Sequence, residues 1–181
     1  MEYTERYNEW LAAAELTADE RARLRSMTEE EKRECFWAPL EFGTAGMRGI
    51  IDLGVNRMNR FTVGRATKGL ADYICSLGGD AKERGVVIAR DTRRKSGEFA
   101  VLTAKILAAN GIRAYLYEDV RPVPMCSFAV RKLGAEAGVM ITASHNPKVY
   151  NGYKVYGADG AQMSPESTDK VVGFIEKTPY F

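Results

Sequence analysis

The chemistry-bearing residues of this chain cluster between Ser144 and Lys154. Within Ser144-His-Asn-Pro-Lys148 and Asn151-Gly-Tyr-Lys154 lie a serine hydroxyl, the chain's only imidazole, two amides and two ammonium groups. Three chemistries compete for such a set. In a hydrolase, Ser144 would be a nucleophile activated by an imidazole that a carboxylate orients. The only histidine is the adjacent His145, neighbouring side chains on an extended segment point apart, and no Gly-x-Ser-x-Gly elbow is present. That reading is therefore disfavoured. In a purely structural turn, Asn146 would bond to nearby backbone and Pro147 would stiffen the bend. In phosphoryl chemistry, Ser144 would carry a group with a charge of about −1.5 to −2, which demands cations. Arg48, Lys154 and Arg93 could supply them, with a divalent metal on the phosphoryl oxygens. Residue types alone leave the second and third readings open.

The elements that must position this loop can be read around it. Ala137–Thr142 is an apolar run of strand length that stops at the loop. Upstream, Val86–Ala89 reads as a short buried strand followed by the polar turn Arg90-Asp-Thr-Arg-Arg-Lys-Ser96. A helix follows, with Ser96 as its N-cap, Phe99, Leu102, Ile106 and Leu107 as its apolar side, and Asn110-Gly111 as its stop. Ile112–Tyr117 alternates as a strand. Pro122 and Pro124 introduce a helix with Met125, Phe128, Ala129 and Leu133 inward and Gly134 closing it. This β-α-β-α-β series predicts an α/β fold, with a parallel sheet, right-handed crossovers and helices on both faces. Ligands of such sheets bind beyond the C-terminal strand ends, where Asp91-Thr-Arg93 and Thr142-Ala-Ser-His145 both fall.

Around that centre, a helix over Thr62–Leu77 carries Val63, Ala66, Leu70, Ile74 and Leu77, weakened by Gly64 and Gly69 and ended by Gly78-Gly79. Gly54–Asn59 reads as a turn between short strands. Asn151-Gly152 is a hairpin-turn signal, and Tyr153–Tyr156 alternates, with Lys154 facing away from Tyr153 and Val155. Ser164-Pro165 starts a last helix with Val171, Val172, Phe174 and Ile175 apolar. Residues 1–40 read as a polar helical segment. Thr17-Ala-Asp-Glu20 and Thr28-Glu-Glu-Glu31 have capping-box spacing, and Pro39 ends the second helix. In Glu41–Asp52 three glycines surround Arg48, either presenting it to a ligand or forming a turn into an edge strand.

Composition bounds the function classes. The 181 residues are 45% hydrophobic and 28% charged, as in a soluble globular protein of one domain with an appended segment. A net charge of +2 gives no support to nucleic acid or an anionic membrane as partner. No apolar run approaches the ~20 residues of a membrane span, and the first residues have no secretory character. Cys35, Cys75 and Cys126 are far apart and read as buried thiols of a reducing, cytoplasmic compartment rather than disulfides or a zinc site. Neither a Walker loop nor Gly-x-Gly-x-x-Gly occurs.

Four ordered motifs resolve what composition leaves open. Thr142-Ala-Ser-His-Asn-Pro147 resembles the phosphoserine loop of the α-D-phosphohexomutases, the phosphoglucomutase and phosphomannomutase superfamily. Phe42-Gly-Thr-Ala-Gly-Met-Arg48 resembles that family's amino-terminal arginine motif, Arg90-Asp-Thr-Arg93 its Asp-x-Arg turn, and Tyr150-Asn-Gly-Tyr-Lys154 its lysine-bearing segment. The N-terminal lead-in and Asn56-Arg-Met-Asn59 are most similar to the phosphoglucomutase/phosphopentomutase branch. The resemblance implies a three-layer α/β/α domain over residues 41–181 with a mixed, mostly parallel sheet, its antiparallel strand near residues 153–156 or 48–52. It implies catalytic roles for Ser144, His145 and Lys154, phosphate or substrate contacts for Arg48, Asn146 and Arg93, and Mg²⁺ bound through a phosphoryl oxygen on Ser144. It implies sugar monophosphate substrates, a hexose bisphosphate intermediate, and three further domains that carry the other metal ligands and the sugar- and phosphate-recognition loops. No Asp-Gly-Asp or Arg-x-Ser-Gly-Thr is found in this chain, so it is expected to be one domain of such an enzyme and inactive alone. The alternative is a non-catalytic phosphosugar-binding or interaction module.

Overall fold

The computed structural model describes residues 2–44 and 46–181. Three short helices open the chain: α1 (Tyr3–Ala12), α2 (Ala18–Arg25) and α3 (Glu29–Phe36). They are followed by β1 (Met47–Ile50), α4 (Arg60–Leu77), α5 (Ala81–Arg84), β2 (Val86–Arg90), α6 (Ser96–Ala109), β3 (Ala114–Leu116), α7 (Val123–Leu133), β4 (Ala137–Ile141), β5 (Tyr150–Tyr156) and α8 (Pro165–Lys177). The five strands form one sheet in the order β1-β5-β4-β2-β3. β3, β2 and β4 are parallel; β5 pairs antiparallel with β4, and the edge strand β1 pairs antiparallel with β5. Both segments considered for the antiparallel strand are therefore strands, and they pair with each other.

Alternation along the strands builds two cores. Val86, Ile88, Val139, Ile141, Tyr153 and Val155 face α4, α6 and α8. Val87, Ala89, Met140 and Tyr156 face α7, which packs over β2 and β4 through Cys126, Ala129 and Val130. Deep in the first core the Thr67 hydroxyl meets the Tyr153 hydroxyl at 3.1 Å and that of Thr103 at 3.4 Å. Burial pushes the Tyr153 phenol well above the ordinary tyrosine range, the two threonines opposing this only in part.

The N-terminal helices form a third core. Trp10 is fully buried and meets Phe36, Phe61 and Phe181 edge-on at 5.2–5.7 Å between ring centres. Each such pair contributes about 0.5–1.5 kcal/mol beyond its buried area. Both expected capping boxes close: Thr17 with Glu20 and Thr28 with Glu31. Three ion pairs then tie this layer to the sheet domain, one of them Arg57 to Glu34 at 2.9 Å. Arg60, the first residue of α4, makes two 2.8 Å bonds to the Glu20 carboxylate, and Arg23 bonds Asp52 at 2.8 Å.

Several expectations need correction. Asn151-Gly152 lies inside β5, not in a hairpin turn. Gly152 is there because β5 runs hard against its neighbours: a Cβ on it would stand 2.6 Å from the Thr142 carbonyl oxygen and 3.0 Å from that of Met47. Met125, Phe128 and Leu133 are exposed on α7, whose buried side is Cys126, Ala129 and Val130. Small residues face the sheet because α7 approaches Gly138 closely. Leu77 and Cys75 are exposed at the end of α4. The helix expected from Thr62 starts at Arg60 with Asn59 as its cap, whose side chain accepts from the Phe61 and Thr62 amides, so Gly54–Asn59 links a strand to a helix rather than to a second strand. Ser96 is the first residue of α6, and Lys95 precedes it with φ 66°. The helix opened by Thr28 stops at Phe36, ahead of Pro39, and the strand expected over 112–117 is three residues long.

Gly152→Ala is expected to cost about 1–3 kcal/mol, because the added methyl must push apart backbone on two sides. The readout is the urea midpoint of unfolding, and an unchanged midpoint would contradict this close approach.

Candidate phosphoryl site at the end of β4

The sheet ends at a corner made by its own backbone. After β4, Thr142 is still held in register, its amide donating to the Gly152 carbonyl at 3.0 Å. Its buried hydroxyl accepts from the Ser144 amide at 3.0 Å. Ser144 then adopts φ 55°, a left-handed conformation that costs a serine about 1 kcal/mol. The turn throws the Ser144 side chain out into solvent. The corner also overturns the assumption of an extended segment: Ser144 Oγ lies 3.4 Å from His145 Nδ1. No carboxylate bonds the imidazole among the described residues, so the hydrolase arrangement is still incomplete.

Two cations come from the antiparallel side of the sheet. Arg48 pairs with Gly152 and Lys154 with Met140, so both lie on the α7 face but on β1 and β5, beyond the strands α7 covers. Arg48 is exposed and donates through Nη1 to Asn146 Oδ1 at 2.6 Å, joining the arginine motif to the serine loop. Lys154 is half-buried, and its ammonium is held below the ordinary lysine range by burial first and by the nearby Arg48 cation second. Gly46 makes this proximity possible. Its φ is 80°, and a Cβ there would come within 1.9 Å of the Tyr153 carbonyl oxygen and 2.9 Å of Lys154 Cα. Gly43 and Gly46 exchange backbone hydrogen bonds across a tight turn into edge strand β1, so the turn and the presentation of Arg48 are one feature. Ala45, within that motif, lies outside the described residues.

Arg93 is placed differently from what its charge suggested. It lies beneath the loop with a side chain only 14% exposed, and its donors meet loop carbonyls. Nη2 reaches the carbonyls of Ser144 (2.8 Å) and Asn146 (2.6 Å); Nη1 reaches those of Pro147 (2.9 Å) and Tyr150 (3.1 Å). Nε faces Asp91 Oδ2 at 3.5 Å. The other Asp91 oxygen accepts from the Arg93 amide and the Ser96 hydroxyl, each at 2.9 Å. Asn151 then donates to Ser96 Oγ at 3.0 Å and to the Arg94 carbonyl at 2.9 Å. Sequence reasoning missed Asp91, Ser96 and Asn151 as members of one network. The signal was in the polar turn at 90–96, which carries more hydrogen-bonding groups than a connector needs.

The loop of Ser144 thus carries His145 beside the hydroxyl and is bonded by Arg48 through Asn146, with Lys154 near Arg48, while Asp91 is turned to Arg93 and Ser96. An anion on Ser144 would meet uncompensated positive charge. Among the described residues no group of three His, Cys, Asp or Glu side chains could hold a metal ion.

Residues 39–180 match the sequence model of a family described as phosphoglucomutase/phosphomannomutase, alpha/beta/alpha domain I. The chain is 49% identical over 152 residues to a phosphoglucomutase of Staphylococcus epidermidis, covering 84% of this chain and 27% of that protein. It is 47% identical over 147 residues to the phosphoglucomutase of Staphylococcus aureus. The fold is similar to the crystal structure of a protein assigned as a phosphomannomutase from Thermus thermophilus, with TM-score 0.70 and 34% identity over 80% of this chain and 32% of that one. The chain spans about a quarter of the length of the curated relatives it matches.

Lys154→Met is expected to raise the melting temperature near neutral pH, since it removes a half-buried charge that repels Arg48. The sign follows from the depressed pKa. Below the folded-state value the native protein carries the whole cost of the charge. That cost is relieved as pH rises through the folded pKa toward the unfolded value near 10.5. The advantage of the variant should therefore shrink in melts at rising pH; a variant less stable at neutral pH would contradict the stated environment.

Proposed function

Because the chain belongs to the phosphoglucomutase/phosphomannomutase family, we propose that it is the phosphoserine-bearing, alpha/beta/alpha part of a sugar-phosphate mutase. The observation that carries this reading is the exposed left-handed Ser144 corner, whose loop Arg48 bonds through the neutral Asn146, with Lys154 close to that arginine. A turn made only for structure would not need two cations from another part of the sheet.

In the proposed cycle a hydroxyl of a sugar monophosphate attacks the phosphorus carried on Ser144. The new P–O bond forms to the sugar, the P–Oγ bond breaks, and the hydroxyl proton is taken up by a nearby base. The product is a sugar bisphosphate and a free serine. After the bisphosphate reorients, Ser144 Oγ attacks its other phosphate, giving the isomeric monophosphate and restoring the phosphoserine. His145 Nδ1, 3.4 Å from Oγ, is placed to give or receive the proton of Ser144. Lys154, with its lowered pKa, is suited to proton transfer at the sugar or to stabilising charge on the passing phosphoryl group. Arg48 would exchange Asn146 Oδ1 for phosphoryl oxygens, a natural bidentate partner for its guanidinium. Loose phosphoryl transfer needs such positioning and charge more than covalent help.

Mg²⁺, bound to a phosphoryl oxygen on Ser144, would supply further charge neutralisation, with its remaining ligands from outside these residues. No helix among the described residues is long and apolar enough to cross a membrane. A cytoplasmic enzyme of sugar-phosphate metabolism, with neither nucleic acid nor membrane as partner, is the setting this reading takes.

Three outcomes test it. Residues 1–181 alone should not convert glucose 1-phosphate, and activity should appear only with the remainder of a family-length enzyme; robust turnover by the isolated chain would refute this. Intact mass of the active enzyme should show one phosphoryl group that is lost in Ser144→Ala. Lys154→Met should lower kcat at least about tenfold with little change in KM if it acts mainly in the transition state. A matching rise in KM would instead assign it to binding.

A further inference from the structure

Among the described residues, two that are not glycine have positive φ, Lys95 at 66° and Ser144 at 55°. They lie at the two ends of a single hydrogen-bonded unit with Arg93 at its centre. We propose that Arg93 is a positioning residue whose guanidinium fork sets the left-handed Ser144 corner, and that it does not itself bind the phosphoryl group. The mechanical part stands on geometry, and the kinetic consequence rests on the mutase reading above.

A guanidinium has five N–H donors in a rigid plane. The four on Nη1 and Nη2 match the four loop carbonyls of Ser144, Asn146, Pro147 and Tyr150. The fifth faces Asp91. Nothing is left to give to a ligand without dismantling the loop. The four carbonyls span the whole turn from the end of β4 to the start of β5, so one planar group fixes the path of the chain between two strands.

The fork is itself held in place. Asp91 is fixed by the Arg93 amide and by Ser96, and Ser96 by Asn151 on β5. Asn151 also holds the Arg94 carbonyl. The unit therefore ties the turn after β2, the start of α6 and β5 to the loop that bears Ser144. A lysine could keep the charge, but its three donors leave from one atom and cannot span carbonyls on both sides of the turn. Removal of the fork frees Ser144 to return to the extended backbone that serine prefers, which turns Oγ away from its present direction.

Amide hydrogen exchange on residues 1–181 tests the clamp. In Arg93→Ala and Arg93→Lys, exchange of the Ser144–Tyr150 segment should quicken at least about tenfold, while amides of β4 such as Val139 and Met140 keep wild-type protection. If Arg93→Ala does not fold, Arg93→Lys carries the test. Wild-type exchange across the loop of the lysine variant overturns the proposal. In the family-length enzyme, Arg93→Lys should lower kcat at least about tenfold with KM for the sugar monophosphate within about twofold. A raised KM at unchanged kcat would make Arg93 a substrate contact and also overturns it. If the wild-type enzyme has no mutase turnover, the mutase reading fails while the exchange result still decides the clamp.

Discussion

Everything at the site depends on backbone approaching backbone more closely than a side chain allows. Gly46 lies against the Tyr153–Lys154 peptide, and Gly152 sits between the carbonyls of Thr142 and Met47. These two contacts fold the arginine motif, the lysine strand and the end of β4 into one corner. Arg48 and Asn146 are 98 residues apart in the chain and still share a 2.6 Å hydrogen bond. A methyl at either glycine would displace a strand that carries a cation, before any reacting group had changed.

The electrostatic plan follows from where the carboxylates are used. Glu20 is held below the ordinary carboxylate range by its bonds to Arg60, which oppose the effect of burial, and Asp52 is bound to Arg23. Both join the N-terminal helices to the sheet domain, on structural duty. Asp91, the acid beside the loop, is taken by Arg93, Ser96 and the Arg93 amide. The cations Arg48 and Lys154 are thus left near one another without an acidic partner among the described residues. Like charges held together are tolerated at a cost where they serve a ligand, and the lowered Lys154 pKa is the sign of that cost.

Periodicity made much of the fold readable. The β-α-β-α-β series, both N-terminal capping boxes and the position of the loop beyond the sheet edge all follow from local pattern and strand-helix geometry. The misreadings have a common origin in contacts remote in sequence. Asn151-Gly152 has the composition of a turn, but its glycine answers to Thr142 and Met47 and its asparagine to Arg94 and Ser96. The inward side of α7 departs from the largest apolar residues because a helix lying close on Gly138 must bury small ones. The Ser144–His145 proximity was hidden for a similar reason. It needs a left-handed serine, and no residue pattern announces that strain when the groups that stabilise it lie in another loop.

The buried hydroxyl cluster of Thr67, Thr103 and Tyr153 has a consequence for β5 as a ruler. Side chains on a strand alternate faces, so a slip of one position would turn Lys154 into the core and Tyr153 out of it. A slip of two would keep the faces but carry the phenol away from its threonine partners, stranding polar oxygens in an apolar interior. Most core contacts are forgiving of such offsets because one aliphatic group can replace another. A directional bond at a single depth is not. The cluster thus works as an index mark that sets how far along the sheet Lys154 sits relative to Ser144, and it does so from the face of the sheet opposite the one on which the lysine lies.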